Sequence, residues 1–437
     1  MIINNSTLGN FIKSDYRLQD IRNIITLLER KQTFNFTALD NSLFSASIVS
    51  NDTSYTGYSS VWIRDNIYVA YCHYLIGKTE IAIANMQTLI AYIKKFQWRF
   101  TNIIEGKSDR NNVMERPHVR FNGRELTEID QKWEHAQNDA WGYFLWFVCK
   151  LAREKLLELR AEDLEILALF PFYFQAIKYW QDEDSGHWEE ERKIAASSIA
   201  TVIAGLKSLK SLLVDRSIAR NCQYQNESVT IAFLDELIER GTTSLNNILP
   251  AECIQPEKPR KYDAALLFSI YPLEILDTAT SEQILTNVVK NLQGDYGIRR
   301  YLWDSFWCRD YRDLPEEIRT TISDEREQWL RERDRELEEG EEAQWCIFDP
   351  IMSAIYGLKY QKARYEENLA RQTFYLNRSL GQITGKDCKV GEFRCPELYY
   401  LQDGCYIPND ATPLLWTQAN LRIALKIMEE SLMLNLA

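Results

Sequence analysis

The sequence predicts an all-α protein with a single domain, and three observations lead to this prediction. Apolar residues recur with the 3.6-residue period of a helix along most of the 437 residues, whereas the alternation typical of strands is scarce. No Gly/Ser-rich or Pro-rich stretch divides the chain. The composition, with 45% hydrophobic and 26% charged residues, is typical of a globular protein with a substantial core.

Helical periodicity places twelve helices along the chain. They span residues 16–32, 62–77, 79–97, 138–155, 161–181, 192–213, 228–243, 261–270, 281–292, 345–358, 362–381 and 413–433. We expect residues 1–44 to form an added N-terminal helix and lead-in, and residues 45–437 to form the main domain. Between Pro315 and Glu342 the chain is dense in Glu and Arg, which predicts a solvated helix rather than a linker.

Charge and cysteine usage narrow the possible partners and location. The formal net charge of −12 argues against nucleic acid and membrane partners and fits a neutral ligand. The nine cysteines are odd in number, widely spread and free of CxxC spacing, so neither a zinc site nor a disulfide framework is indicated. The N-terminal residues lack signal-peptide features, and no apolar run approaches the ~20 residues of a membrane span. We therefore expect a cytoplasmic protein, whose oligomeric state the sequence leaves open.

Segments rich in aromatic, acidic or amide side chains precede every second predicted helix. These segments are Trp62-Ile63-Arg64-Asp65, Gln137-Asn138-Asp139, Trp188-Glu189-Glu190, Tyr262-Asp263, Gln344-Trp345 and Pro396-Glu397-Leu398-Tyr399-Tyr400. In a closed ring of antiparallel helices, alternate connections emerge at the same end, so these segments would converge on one mouth. Helix capping is the alternative. It accounts for Asp65, Asp139 and Asp263, but not for the tryptophans, the amides and the paired glutamates together.

Trp188-Glu189-Glu190 indicates sugar chemistry, because an indole can cover the apolar face of a pyranose. Glycoside hydrolysis needs one protonated carboxyl group and one ionised carboxylate on opposite sides of the scissile bond. Glu189 is the candidate acid, since the Trp188 ring and the charge of Glu190 both favour its protonated form. Glu397, in an unusually aromatic segment, is the candidate base. The alternatives are a helix-dipole role for Glu189 and an ion pair between Glu397 and Arg394.

Further residues are candidates for binding a sugar. Arg64 and Asp65 place a charged fork donor beside an acceptor, which could grip two hydroxyl groups at one end of a hexose. A buried structural ion pair is the alternative. Arg300 could reach the same mouth. Amides, acids and tryptophans complete the set of candidates: Gln137, Asn138, Asp139, Glu190, Trp62, Trp188 and Trp345.

No metal or cofactor is predicted. The four histidines show no ligand spacing. Asp182, Glu183 and Asp184 are similar to a calcium-ligand run, but they do not fit the spacing of an EF-hand. Hydrolysis by two carboxyl groups requires no organic cofactor.

At these residues the sequence resembles glycoside hydrolase family 15, the glucoamylase family, and the related domain of the phosphorylase kinase alpha and beta subunits. The resemblance runs from about Ser45 to Leu434 and rests on the order and spacing of several motifs together. These motifs are Ser47-Ile48-Val49, Val61-Trp62-Ile63-Arg64-Asp65, Gln137-Asn138-Asp139, Trp188-Glu189-Glu190 with Ser197-Ser198, and Arg300-Tyr301.

The resemblance implies an (α/α)6 barrel, a toroid of six helical hairpins, which agrees with the twelve helices. It also implies that Glu189 is the general acid, that Glu190 contacts substrate, and that Arg64 and Asp65 hold the non-reducing glucose. The family's base lies in the loop before the last helix, where Glu397 sits. There the family more often has Ser-Glu-Gln or Ala-Glu-Gln, whereas this chain reads Cys395-Pro396-Glu397-Leu398-Tyr399-Tyr400, a form closer to the phosphorylase kinase branch.

These observations predict an inverting, exo-acting α-glucan hydrolase that releases glucose from the non-reducing ends of maltooligosaccharide or glycogen-like substrates. The alternatives are a non-catalytic glucan-binding or regulatory protein of the phosphorylase kinase alpha type, and a trehalase on the same barrel. Because subsite loops decide the linkage, the sequence leaves α-1,4, α-1,6 and α,α-1,1 bonds open.

Overall fold

The computed structural model describes residues 1–48, 55–314, 337–338 and 340–435. Val49 of the first family-like motif lies outside these residues. So does nearly all of the charged segment between Pro315 and Glu342 that the sequence predicts as a helix.

The described chain is mainly helical. Its α-helices are α1 (Ser6–Gly9), α2 (Leu18–Arg30), α3 (Ile63–Leu75), α4 (Thr79–Lys95), α5 (Gln97–Ile104), α6 (Asn138–Arg153), α7 (Ala161–Ile177), α8 (Ala196–Leu212), α9 (Arg216–Ala219), α10 (Ile231–Ile248), α11 (Leu266–Ile270), α12 (Thr278–Asn291), α13 (Phe348–Ala363), α14 (Glu366–Gly381) and α15 (Leu415–Met433). None of these helices combines the length and the apolar character that crossing a membrane requires.

Short strands form three small antiparallel sheets. The first contains β1 (Val61–Trp62), β2 (Arg120–Asn122) and β3 (Thr127–Glu128), the second β4 (Gln223–Tyr224) and β5 (Glu227–Ser228), and the third β6 (Gln344–Trp345), β7 (Leu398–Gln402) and β8 (Cys405–Pro408). In the registers, Trp62 pairs with Arg120 and Trp345 pairs with Leu398. The first and third sheets therefore fix the connections that lead into α3 and α13.

The helices form two concentric rings. The inner helices α3, α6, α8, α11, α13 and α15 contact one another in this order, and α15 contacts α3 and closes the ring. Each inner helix also packs against one outer helix, in the pairs α3–α4, α6–α7, α8–α10, α11–α12, α13–α14 and α15–α2. The fold is an (α/α)6 barrel, as predicted. The inner helices are those that the aromatic and polar segments precede.

The inner helices are buried over most of their length, as expected for helices surrounded by other helices. Most residues of α6 and of α15 are buried. Helices α6 and α8 approach most closely at Gly142 and Gly205. A Cβ atom on Gly142 would stand 2.5 Å from the carbonyl carbon of Thr201, and one on Gly205 would stand 2.8 Å from the carbonyl oxygen of Gly142. Any larger residue at these positions would push the two helices apart.

The N-terminal helix α2 supplies the outer helix of the sixth hairpin. Its apolar face, which includes Ile21, Ile24 and Leu28, shares one buried cluster with Leu421 and Leu425 of α15. This burial explains why an amphipathic helix far from the C-terminus in sequence packs onto the last helix. The domain boundary at residue 44 stays a prediction.

Helix α11 is shorter than predicted, because it begins at Leu266 rather than at residue 261. Asp263 accepts a hydrogen bond from the backbone N–H of Ala265 (2.8 Å), and the N–H of Ala264 donates to the carbonyl oxygen of Arg300 (2.8 Å). These contacts hold the residues before α11 in a connection to the neighbouring loop instead of a first helical turn.

Candidate active site

A cavity lies at the N-terminal ends of the inner helices, with a volume of about 540 Å³ including its open mouth. Its described lining residues come mostly from the connections that precede inner helices: Ala46, Tyr58, Trp62, Arg64, Asp65, Trp133, His187, Trp188, Glu189, Arg300, Phe306, Trp345, Glu397, Leu414 and Trp416. The ring closure of the barrel therefore brings distant segments of sequence to one place.

The cavity unites eight of the predicted site residues: Trp62, Arg64, Asp65, Trp188, Glu189, Arg300, Trp345 and Glu397. Four other predicted residues are outside the set of described residues that line it: Gln137, Asn138, Asp139 and Glu190. They are buried. Gln137 and Asp139 accept hydrogen bonds from Arg64, and Glu190 accepts one from Arg300.

Glu397 lies directly before β7 and is 2% exposed. Its backbone oxygen accepts a hydrogen bond from the N–H of Cys346 (2.8 Å). In its side chain, Oε1 accepts from the Tyr58 hydroxyl (2.7 Å) and Oε2 accepts from the Asn409 amide (2.5 Å). Burial raises the pKa of Glu397 to about 7, although both hydrogen bonds favour the ionised form. The two carboxylate oxygens are thus oriented by Tyr58 and Asn409 rather than by Arg394.

Glu189 ends a short 3-10 turn, Gly186–Trp188, in the left-handed conformation with φ 60°. Residues other than glycine rarely adopt this conformation, so the surroundings must hold the turn. The indole N–H of Trp188 donates to Asp263 Oδ1 (2.9 Å). The side chain of Glu189 is 11% exposed, and its Oε1 accepts a hydrogen bond from Arg64 Nη2 (3.1 Å).

His187 anchors the same turn to two inner helices. Its Nδ1 lies 3.2 Å from the Ser197 hydroxyl of α8, and that hydroxyl donates to Glu252 Oε1 (2.6 Å). Its Nε2 lies 3.0 Å from the Tyr143 hydroxyl of α6. Burial lowers the pKa of His187 to about 4, so the ring is neutral at pH 7. A neutral imidazole with both nitrogens engaged therefore forms part of the cavity wall beside Trp188.

Arg64 and the adjacent Asp65 both line the cavity. Arg64 makes three hydrogen bonds there. Arg64 Nη1 donates to Asp139 Oδ2 (2.8 Å) and to Gln137 Oε1 (3.2 Å), in addition to the bond to Glu189. Burial raises the pKa of Asp65 to about 7; the charge of Arg64 opposes this rise, and the charge of Glu189 adds to it. The predicted Arg64–Asp65 pair therefore faces one cavity, but the hydrogen bonds of the guanidinium go to Asp139, Gln137 and Glu189.

Hydrogen bonds connect the first residue of α6, Asn138, to the acids that precede the Glu189 turn. The backbone N–H of Asn138 donates to Asp184 Oδ2 (2.8 Å), and its side-chain amide donates to Asp182 Oδ2 (2.9 Å). Asp182 also accepts two hydrogen bonds from the buried Arg116, at 2.7 and 2.8 Å. Two carboxylates of the calcium-like run are thus engaged in tying this segment to the turn that carries Glu189.

Glu190 belongs to a buried ionic cluster and is not among the described residues that line the cavity. Arg300 Nη2 and the hydroxyl of Tyr301 donate to its two oxygens. Burial opposes its ionisation, but the positive charges of Arg300 and Arg260 hold the pKa of Glu190 below its usual value. Arg300 also donates twice to Asp304, at 2.6 Å each, and its guanidinium lies over the Trp345 ring.

Sequence reasoning missed several residues of the cavity: Tyr58, Trp133, Phe306, Trp416 and the base partner Asn409. Tyr58 lies four residues before Trp62, and Trp416 is the second residue of α15, so both are close to segments that contain predicted site residues. Proximity to those segments was the available signal. No sequence signal identifies Asn409, because its contact with Glu397 depends on the β7–β8 hairpin.

Among the described residues, one group of carboxylates could share a cation: Asp310, Asp313 and Asp403. This group is largely exposed and is separate from the lining of the cavity. Exposed acidic groups are common without an ion, so the group identifies no metal.

Known proteins are similar to this chain in sequence and in fold. Residues 44–311 match the profile of glycosyl hydrolases family 15. The chain is 25% identical over 212 residues to the uncharacterized lipoprotein YgeQ of Escherichia coli (strain K12), which covers 42% of this chain and 78% of that protein.

Two solved structures share the fold. A wild-type glycosidase superposes with a TM-score of 0.62 at 15% identity, covering 92% of this chain and 96% of that chain. The glucoamylase of Saccharomycopsis fibuligera superposes with a TM-score of 0.57 at 12% identity, covering 96% and 98%. At these identities the structural likeness shows the architecture alone.

Proposed function

Because this chain belongs to glycosyl hydrolase family 15, we propose that it is an inverting, exo-acting α-glucan hydrolase. It releases glucose from the non-reducing ends of maltooligosaccharide or glycogen-like substrates. The observation that carries this proposal is that Glu189 and Glu397, from distant segments, line one cavity together with Arg64, Asp65 and a wall of tryptophans.

In this proposal Glu397 is the general base. Inversion requires a carboxylate that deprotonates one water on the face of the sugar opposite the leaving group. Tyr58 and Asn409 bind the two oxygens of Glu397 and so fix the plane of the carboxylate. A raised pKa near 7 makes Glu397 a stronger base than an exposed glutamate, because a base is most effective when its pKa lies near the working pH.

Glu189 is the general acid, which protonates the departing glycosidic oxygen. The turn that carries Glu189 is held by Trp188, which donates to Asp263, and by His187, which contacts Ser197. This anchoring keeps the acid in place during bond cleavage, where small displacements are costly.

The terminal glucose is held by charged donors and acceptors and by aromatic faces. Arg64 and Asp65 bind its hydroxyl groups, since charge-assisted hydrogen bonds are the strong ones. The rings of Trp62, Trp188 and Trp345 cover its apolar faces.

The Cys395-to-Tyr400 sequence around the base leads us to propose further that the chain lies near the phosphorylase kinase branch of its family. A cytoplasmic location also stays a proposal, which fractionation of cells carrying the protein would test. The description "lipoprotein" applies to YgeQ and is not transferred to this chain.

The proposed activity is tested by incubating the purified protein with maltooligosaccharides, isomaltose and trehalose while proton NMR follows the released glucose. We expect β-glucose to appear first from an α-linked maltooligosaccharide. Early α-glucose would contradict inversion, and preferential release from trehalose would favour a trehalase. Tight binding of maltooligosaccharides with no turnover would favour a regulatory protein of the phosphorylase kinase alpha type.

A further inference from the structure

His135 connects two segments of the chain that meet beside the cavity. It is 1% exposed and lies between Trp133, which lines the cavity, and Gln137, which accepts a hydrogen bond from Arg64. Its ring stacks on the buried ring of His118, with the two centroids 3.7 Å apart and the planes 10° from parallel. The two imidazoles therefore hold the segment before α6 against the segment before β2.

The two ring nitrogens of His135 have different surroundings. Nδ1 accepts a hydrogen bond from the backbone N–H of Val119 (3.3 Å). Burial holds the pKa of His135 well below its usual value, so the ring is neutral at pH 7 and its one proton lies on Nε2. No described residue accepts a hydrogen bond from Nε2, although this atom is buried. Such an unsatisfied donor costs free energy, so its presence indicates that the contact at Nδ1 decides the state of the ring.

Val119 is also bonded to the segment that enters α3. Its carbonyl oxygen accepts a hydrogen bond from the backbone N–H of Ile63 (3.0 Å), which extends the pairing of β1 with β2 by one residue. Ile63 lies between Trp62 and Arg64, and both of these residues line the cavity. A chain of hydrogen bonds thus runs from the ring of His135 through Val119 to the backbone that carries two side chains of the cavity.

The residue that follows Val119 contacts two tryptophans of the cavity. The buried guanidinium of Arg120 lies 5.1 Å from the ring centroid of Trp62 and 4.2 Å from that of Trp133. Cation–π attraction of this kind is strongest where the cation is desolvated. Because Arg120 is adjacent to Val119, a shift of Val119 would also move the cation that contacts both indoles.

We propose that His135 is a positioning residue for the sugar-binding side chains, which acts through Val119 on Trp62 and Arg64. The inference rests on the proposed function, because that function assigns these two side chains to the terminal glucose. The role requires a hydrogen-bond acceptor at Nδ1. Leucine cannot supply one, whereas asparagine can, because its Oδ1 occupies a place in the side chain close to that of Nδ1.

The test compares His135→Leu, which removes the acceptor, with His135→Asn, which keeps one. For His135→Leu we expect kcat/KM on maltose to fall about tenfold, because the N–H of Val119 loses its partner and the cavity wall shifts. His135→Asn should recover most of this loss. His73→Leu is the matched control, since it removes another buried imidazole whose ring nitrogens have no partner among the described residues. It should keep the wild-type kinetics.

Thermal melting separates positioning from folding. A lower melting temperature of His135→Leu with wild-type kinetics would show that the ring is only structural, and the proposal would be wrong. It would be equally wrong if His135→Asn kept the wild-type melting temperature and lost as much activity as His135→Leu.

Nitrogen-15 NMR of the wild type tests the contact even if His135→Leu fails to fold. The chain has four histidines, which can be labelled selectively, and the signals of His135 are those missing from the spectrum of His135→Asn. At pH 7 we expect the shift of Nδ1 to be that of an unprotonated ring nitrogen and the shift of Nε2 to be that of a protonated one. The opposite pattern would overturn the proposal, because a protonated Nδ1 cannot accept from Val119.

Binding separates this inference from the proposed activity. Calorimetric titration of maltose into Glu189→Gln protein, alone and combined with each substitution of His135, requires no turnover. If the wild type hydrolyses no α-glucan but the affinity falls about tenfold with leucine and recovers with asparagine, the proposed activity is wrong and the positioning role stands. If all three proteins bind maltose equally, or none of them binds it, the positioning role is wrong even when the wild type hydrolyses maltose.

Discussion

The hydroxyl of Tyr58 donates a hydrogen bond of 2.7 Å to Oε1 of Glu397, although the two residues lie 339 positions apart in sequence. Asn409 binds the other oxygen of the same carboxylate. Together they orient a buried acid whose pKa burial raises to about 7. These two hydrogen bonds fix the orientation of the Glu397 carboxylate, as a general base requires.

Removing this hydrogen bond should shift the pH profile. The base works ionised, and the Tyr58 hydroxyl stabilises the ionised form, so Tyr58→Phe should raise the pKa of Glu397 further. The acidic limb of kcat/KM should move to higher pH, with the largest loss of activity below pH 7 and little loss at pH 8. Profiles of initial rate between pH 4 and 9 would measure the shift.

Tyr68→Phe is the matched control, because its hydroxyl is buried and donates to Tyr143 instead of a carboxylate. Its profile should keep the wild-type limbs. A uniform loss at every pH for Tyr58→Phe, with an unmoved acidic limb, would show that the hydroxyl does not act on the base.

Glu189→Gln should keep the fold and the binding of sugar but lose nearly all hydrolysis of maltose. The substitution preserves volume and the acceptor for Arg64 while it removes the transferable proton. Substrates with a good leaving group need less protonation and should be partly spared. Hydrolysis of maltose at the wild-type rate would exclude Glu189 as the acid.

Arg64→Lys and Asp65→Asn should weaken binding of the terminal sugar and also lower kcat. Lysine keeps the charge but cannot reproduce a fork that reaches Gln137, Asp139 and Glu189 at once. A hydrogen bond to a charged group is worth roughly 1.5–3 kcal/mol, so a fall in kcat/KM of about 10- to 100-fold is expected. Steady-state kinetics and thermal melting should be measured together. Unchanged kinetics with a much lower melting temperature would indicate a purely structural role.

Asp184 should make the stability of the fold depend on pH. Burial raises its pKa from 3.8 to about 8, so the folded protein keeps a proton that the unfolded chain has lost. Its contribution to stability is fully present below about pH 4 and is lost as the pH rises towards 8, by about 1.4 kcal/mol for each pH unit. Asp184→Asn removes this dependence, so its stability relative to the wild type should increase steadily from pH 5 to pH 8.

Asp277→Asn supplies the control for this experiment. Asp277 caps α12, and its hydrogen bonds with Thr280 lower its pKa, so it is ionised in both states throughout this range. Urea denaturation at several pH values should therefore give a constant difference for Asp277→Asn. A constant difference for Asp184→Asn as well would show that Asp184 is already ionised in the folded protein.

The sequence by itself determined the helical class, most of the helices of the ring, and the connections that contain the candidate catalytic and sugar-binding residues. These features depend on local signals. Helical periodicity is repeated within each element, and Trp188, Glu189 and Glu397 lie in segments whose composition is unusual at short range. Isolated strands such as Val61–Trp62 escaped prediction because two residues cannot show alternation.

Only the tertiary structure decided which candidate side chains face the cavity and which support it. Glu190 and Asp139 are acids in the same segments as Glu189 and the Gln137 amide, yet Arg300 and Arg64 from other connections draw them into buried ion pairs. Tyr58 and Asn409 reach Glu397 because the ring closes. A buried carboxylate must find partners wherever the fold supplies them. Those partners lie far away in sequence. Local sequence patterns therefore identify the candidate acids, but the closed ring of helices determines which residues each acid contacts.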